Sequence, residues 1–287
     1  MTAVRMTNLA GRAALDLEGR AIDVADRSNG RFSSDPMLLL ADWERFCEWA
    51  RAQSLRGDET VIDPDAIGPC VPAPRSVFGI GLNYKDHAAE ANLDIPKSPM
   101  VFTKFPSCLA GPHADIPLTS DRVDWEVELV VVIGRGGSDI PEERAFDHVA
   151  GYTAGQDISD RRQQFADKPP QFSLGKSARA FGPIGPAIVT LDGFSDPSDI
   201  ALNCSIDGEM VQQSRTSELI FPVPQLVSFI SRWCELASGD LIFTGTPAGV
   251  GSVRDPRRYL APGNLLETEV EGIGRLRNRC ISRTPQH

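Results

Sequence analysis

Two acids two residues apart, Glu126 and Glu128, lie in V-D-W-E-V-E-L-V-V-V-I-G, Val123 to Gly134. Val123, Trp125, Val127, Leu129, Val131 and Ile133 alternate with Asp124, Glu126, Glu128, Val130 and Val132. That period, with β-branched residues, predicts a strand with one wholly apolar face. Both glutamates then point the same way, roughly 7 Å apart, and at an effective dielectric of about 20 they repel by roughly 2 kcal/mol. Water offsets this if the second face of the strand is wet. A hard divalent cation held by oxygen ligands, Mg²⁺ or Mn²⁺, offsets it equally well. Asp157, in G-Y-T-A-G-Q-D (Gly151 to Asp157), is the candidate third ligand, because a Gly-punctuated segment can return it beside the pair.

A second pair follows Val77 to Leu82, a short apolar strand. Asn83 can cap a helix from about Tyr84 to Ala91, which puts His87 and Glu90 on one face. The pair is either an incidental contact on an exposed amphipathic turn or a general base with its orienting carboxylate. The chain has four histidines, and His287 stands at its end, so the choice of base is narrow. The turn G-T-P-A-G-V-G, Gly245 to Gly251, is either a tight Gly-Pro corner or a backbone that approaches a ligand closely. Gly175-Lys176-Ser177 is not a P-loop, since Pro170 stands where the phosphate-cradling pattern needs glycine.

Elements must bring these residues together, and length and composition bound how. A chain of 287 residues has room for a large core and by length suggests two domains. A formal charge of −10 and the lack of any basic run argue against nucleic acid as a partner. The N-terminal M-T-A-V-R-M-T-N-L-A-G-R has no apolar signal region and no window is apolar enough to span a bilayer, so the expectation is a cytoplasmic protein with no membrane partner. Six scattered cysteines without C-x-x-C indicate buried free thiols rather than zinc or disulfides.

Residues 1–70 read as a small N-terminal domain of short strands and one helix. Asp35 is its N-cap, Pro36 its first residue, and Leu39, Trp43, Phe46, Cys47 and Ala50 its apolar face. Asp63 to Pro74, rich in proline, reads as a linker into a main domain over residues 71–287. Ile158 to Leu174 reads as loop or short helix plus loop. Pro224 opens a helix whose stripe of Leu226, Phe229, Ile230 and Trp233 reads as core. Strands are predicted at Pro183 to Thr190, Ile200 to Ile206, Glu209 to Gln213, Leu241 to Thr244, Leu265 to Val270 and Gly274 to Arg279.

G-I-G-L-N-Y-K-D-H-A-A-E, D-W-E-V-E-L, G-Y-T-A-G-Q-D, G-K-S and D-L-I-F-T-G-T-P-A-G-V-G, in that order across residues 75 to 280, resemble the fumarylacetoacetate hydrolase family. The resemblance implies an α+β, mostly β fold, a mixed β-roll with short helices, here carrying a small N-terminal β-α appendage. It implies an Mg²⁺ or Mn²⁺ site with Glu126, Glu128 and Asp157 as ligands, and a homodimer. His87 and Glu90 correspond to a catalytic dyad on a lid segment, and Lys176 to a lysine facing the substrate. Arg161, Gln164 and Thr246 match substrate-contacting positions. The family's substrates are small oxo acids. The expected reaction is metal-dependent hydrolysis of a C–C bond in an acylpyruvate or related 2,4-dioxo acid. The alternatives within the family are oxaloacetate decarboxylation and isomerisation of dienedioates from aromatic meta-cleavage.

Overall fold

The computed structural model describes residues 3–283, so His287 lies outside the described residues. The fold is mixed α+β and dominated by strands. At its centre runs Val127–Ile133, paired antiparallel with Val149–Gln156 on one side and with Leu241–Phe243 on the other. Beyond Val149–Gln156 the sheet continues through Gly182–Val189 to Arg5–Leu9, and the N-terminal strands Arg12–Leu17, Arg20–Asp23 and Thr60–Val61 extend the same sheet. In the other direction Leu241–Phe243 runs parallel to Val77–Gly81, and Met100–Thr103 forms the edge. A second, five-stranded sheet is ordered Glu209–Arg215, Ala201–Ile206, Leu265–Val270, Gly274–Ser282, Ile116–Leu118.

The alternation in the central strand does set its two faces, but neither is wet. Val127, Leu129, Val131 and Ile133 pack with Leu202, Ile206, Leu266 and Leu276 of the second sheet. Val130 and Val132 pack on the other side against Leu39, Leu40, Trp43 and Phe46 of the N-terminal helices. Every residue of Val127–Ile133 is buried. Glu126 and Glu128 share the second face, at the end where helix cover gives way to a cavity.

Several local expectations are corrected. The strand predicted over residues 123–134 is interrupted at Trp125 and Glu126, leaving Val123–Asp124 as a separate short piece. There the side-chain amides of Gln156 and Gln212 accept from the Glu126 and Val127 N–H groups at 2.9 and 3.0 Å, replacing ladder bonds. Asn83 does not cap the following helix, Lys85–Glu90, whose N-cap is Tyr84. Its amide instead ties the Phe221 backbone to the Thr244 carbonyl. The single N-terminal helix is two, Pro36–Leu40 and Trp43–Arg51, the first capped by Asp35 as its sequence indicates. Ile158 to Leu174 carries two short helices, Arg161–Gln164 and Phe172–Gly175. Trp233 lies beyond the helix Val223–Ser231 and is 78% exposed, and Phe229 is only partly buried, so of the predicted stripe Leu226 and Ile230 are core. Cys234 is exposed, while the other five thiols are buried. Among the described residues no helix is long and apolar enough to cross a membrane.

Phe46 is fully buried among Phe32, Trp43 and Trp49, with ring centroids 5.3 to 6.1 Å from its own. Because this cluster covers Val130 and Val132, its loss weakens the central strand as well as the appendage. Phe46→Ala is expected to lower unfolding free energy by about 3–5 kcal/mol, in one cooperative transition on denaturant titration. Two separated transitions would contradict the shared core.

Candidate metal centre and active site

Asp157 is brought to the acid pair by strand register. Val127 faces Gln156, so Glu126 faces Asp157, and the Asp157 N–H donates to the Glu126 carbonyl at 2.9 Å. Glu126, Glu128 and Asp157 each offer a carboxylate oxygen, all within 4.8 Å of one another, and all three residues are buried. Three carboxylates converging out of water are the donor set a hard divalent cation takes.

The cations already present are fixed and directional. Lys176, between the two acid-bearing strands, donates to Glu126 at 2.7 Å, Asp157 at 2.6 Å and the Ser159 hydroxyl at 2.8 Å. Lys104, with no exposed side-chain surface, donates to the other Asp157 oxygen at 2.6 Å and to the carbonyls of Lys176 and Phe181. Arg161 reaches Glu126 at 2.5 Å and Asp124 at 2.8 Å. With all four ionised, Asp124, Glu126, Glu128 and Asp157 outnumber Lys104, Arg161 and Lys176 by one charge. A divalent cation would reverse that excess and leave the centre attractive to an anionic acid.

Titration behaviour follows from this geometry. Burial alone would push Glu126 up, but the Lys176 ammonium and then the Arg161 guanidinium pull its carboxyl down to about 2. Burial would depress Lys176, and the Asp157 and Glu126 carboxylates raise it instead. Among the described residues no cationic side chain forms an ion pair with Glu128, though the Lys176 charge is near enough to lower its carboxyl somewhat. Its one hydrogen bond in the site is from the Gly245 N–H, at 2.7 Å. Burial first, then the charges of Asp157 and Glu126, push its carboxyl well above the ordinary range. Gly245 sits at φ +102°, and a Cβ there would come within 2.7 Å of Asn83 Cβ, so the turn needs glycine to present that N–H.

A cavity of about 260 Å³ opens over the acids. Of the sequence-predicted site residues, Glu126, Arg161, Gln164, Lys176, His87 and Thr246 line it, whereas Glu128 and Asp157 lie behind Glu126 in the acid cluster and Glu90 is turned to the Gly249 N–H. Their roles in this state are specific. Gln164 accepts from Arg161 Nη1 at 2.9 Å, and Thr246 accepts from Gln212 at 2.8 Å. His87 Nδ1 lies 3.5 Å from Glu90, a loose contact, because both Glu90 oxygens accept from the Gly249 N–H at 2.9 and 3.1 Å. Glu90 therefore latches the helix Lys85–Glu90 to the Gly-rich turn in addition to facing the imidazole. The outer half of the cavity is apolar, with Leu93, Met100, Phe102, Phe165, Phe172 and Val253.

Lys104, Asp124, Gln156 and Gln212 are site residues that motif reading did not assign. Asp124 was legible, since it continues the acid face two residues before Glu126. Lys104, alone after M-V-F-T, carries no periodic signal.

A family model described as fumarylacetoacetate (FAA) hydrolase C-terminal matches residues 76–281. The chain belongs to that family and is one of its enzymes. The fumarylacetoacetate hydrolase domain-containing protein 2 homolog of Dictyostelium discoideum is 44% identical over 216 residues, 71% of either chain. Human oxaloacetate tautomerase FAHD2A, named as mitochondrial, is 40% identical over 213 residues, 74% of this chain and 68% of its own. The crystal structure of a Mycobacterium smegmatis protein provisionally named HpcE is 49% identical, with a TM-score of 0.93 over 98% of this chain and 100% of that one.

The elevated Glu128 carboxyl gives a signed expectation. The folded protein retains a proton that the unfolded chain releases above about pH 4.5, so this contribution to stability is complete below that pH and is lost as pH rises toward the folded value. In chelator, Tm is expected to fall as pH rises above about 4.5, and added Mg²⁺ or Mn²⁺ to restore it most at the higher pH values. Glu128→Gln should flatten that slope and abolish the cation-induced gain. A pH-independent Tm, unmoved by either ion, would contradict this electrostatic account.

Proposed function

We infer that the protein interconverts the keto and enol forms of a small 2-oxo acid of the oxaloacetate class at a divalent cation, Mg²⁺ or Mn²⁺. The observation that carries this reading is a cluster of three buried carboxylates, one of which, Glu126, lines a cavity together with Lys176 and His87. Relatives at about two-fifths identity bear the oxaloacetate tautomerase name, which supports the same class. When bound, the cation would chelate the substrate carboxylate and 2-oxo oxygen and draw electrons from the carbonyl.

The residues of the chain supply the rest. Arg161 and Gln164 orient the substrate carboxylate. Lys176 holds positive charge beside the acids, where negative charge develops on the 2-oxo oxygen. His87 takes the proton from C3 and returns it to oxygen, or the reverse, and the helix that carries it covers the cavity. No water is consumed, so the loose His87–Glu90 contact suffices for a proton carrier.

A second reading, hydrolysis of a C–C bond in an acylpyruvate, is favoured by the apolar outer half of the cavity, which suits an acyl tail beyond the oxo acid. There His87 would activate water for attack on the distal carbonyl, with Glu90 orienting the imidazole. The readings separate on a substrate panel of oxaloacetate, acylpyruvates and dienedioates, with Mg²⁺ or Mn²⁺. The first expects the highest kcat/KM for oxaloacetate enol–keto interconversion, followed by enol absorbance. Faster acylpyruvate cleavage would replace it with the second.

His87→Ala is expected to slow tautomerisation by about 10²- to 10⁴-fold with cation affinity unchanged. Any oxaloacetate decarboxylation, which removes no proton from carbon, should survive better. Equal loss of both would reduce the helix to a cover. We also propose a homodimer, from the family resemblance and from the exposed Val101, Phe105 and Leu174 at the edge strand Met100–Thr103. Light scattering should give twice 31.2 kDa, and a monomeric mass would contradict it.

A further inference from the structure

Asp124 is a carboxylate with no exposed surface, and the proton-transfer scheme above does not use it. It joins two parts of the site. Its Oδ2 accepts from Arg161 Nε at 2.9 Å and from the Ser252 N–H at 3.0 Å, and lies 2.8 Å from Arg161 Nη2 in an ion pair. Its Oδ1 accepts from the Gly251 N–H at 2.7 Å and from the N–H of Trp125 at 2.9 Å. Gly251 has no room for a side chain, since a Cβ there would come within 1.9 Å of the Arg258 carbonyl and 2.8 Å of Asp124 itself. The neighbours of that loop, Val250, Ser252 and Val253, form one wall of the cavity.

The effect falls on Arg161. A guanidinium has five N–H groups. Asp124 takes the one on Nε, Glu126 takes one on Nη2, whose nitrogen also stands 2.8 Å from Asp124, and Gln164 takes one on Nη1. One Nη1 hydrogen is left, and both Arg161 and Gln164 line the cavity.

The geometry points to Asp124 as the positioning residue that turns Arg161 so that this Nη1–H, together with the Gln164 amide, reads the substrate carboxylate, and that ties this reader to the 250–253 wall. The assignment rests on the 2-oxo acid reading of the site. With Asp124 in place the Nε and Nη2 edge is closed, so the carboxylate is held by one arginine hydrogen and one amide. Without it Arg161 is free to swing toward Glu126, its remaining charged partner, and the wall loses two of its backbone anchors.

The test uses Mn²⁺-loaded full-length protein and oxalate, a stable planar anion that mimics the carboxylate and 2-oxo oxygen, titrated calorimetrically. Mn²⁺ affinity is measured separately. Asp124→Asn, similar in size, should weaken oxalate binding about tenfold, raise KM for the oxo acid equally and leave kcat and Mn²⁺ affinity within a few-fold. Arg161→Lys, which keeps the charge but cannot span Asp124 and Gln164, should show the same loss. The double variant should be no worse than either single one, because the two residues act as one unit. Unchanged oxalate affinity in Asp124→Asn, or losses that multiply in the double variant, would overturn the assignment. If Asp124→Asn does not fold, unchanged oxalate affinity in Arg161→Lys overturns it instead. Failure of the wild-type, Mn²⁺-loaded protein to bind oxalate at all would remove the 2-oxo acid reading, and this assignment with it.

Discussion

Burial of charge is the constraint on which the site depends. An isolated carboxylate in a protein interior costs several kcal/mol unless paired, yet four stand together at the end of the central strand. Lys104, Lys176 and Arg161 offset three of them through short, directional hydrogen bonds. Glu128 is left with one backbone N–H and two neighbouring negative charges. A centre in which one carboxyl has no cationic partner and three offer oxygens within 4.8 Å of one another is poised for a cation. Glu126, Arg161 and Lys176 also line the cavity beside it.

The scaffold supplies this rigidity from both sides. One face of Val127–Ile133 is closed by the second sheet and the other by the N-terminal helices, so Glu126 and Glu128 project from a strand whose every residue is packed. Register with Val149–Gln156 then leaves Asp157 no choice of partner. Loops carry the parts that need reach. The Gly-rich turn gives N–H groups to Glu128, Glu90 and Asp124, and so connects metal centre, covering helix and arginine through one stretch of backbone.

Much of this was legible in the sequence. Period-two alternation placed Glu126 and Glu128 on one face, and glycine spacing marked Asp157 and the 245–251 turn. Burial was not legible, because alternation is the same whether the second face meets water or another layer, and the cover comes from Trp43 and Phe46, about 80 residues upstream. The break at Trp125 and Glu126 was hidden too, since it depends on amides from Gln156 and Gln212, one on the paired strand and one on the second sheet. Asn83 has the composition of a cap but serves as a cross-link, which only tertiary partners decide. Lys176, Arg161 and Gln164 emerged from motif resemblance. Lys104 has neither pattern nor motif, and its role follows only from finding an ammonium with no exposed surface against Asp157.

The central claim is that a divalent cation sits among Glu126, Glu128 and Asp157. Crystals grown with Mn²⁺ and measured for anomalous scattering test it most directly. The account expects a single strong peak bonded to one oxygen of each of these carboxylates, at distances typical of Mn²⁺–oxygen bonds, with Lys176 still against the cluster. No peak there, or a peak ligated by other residues, would contradict it.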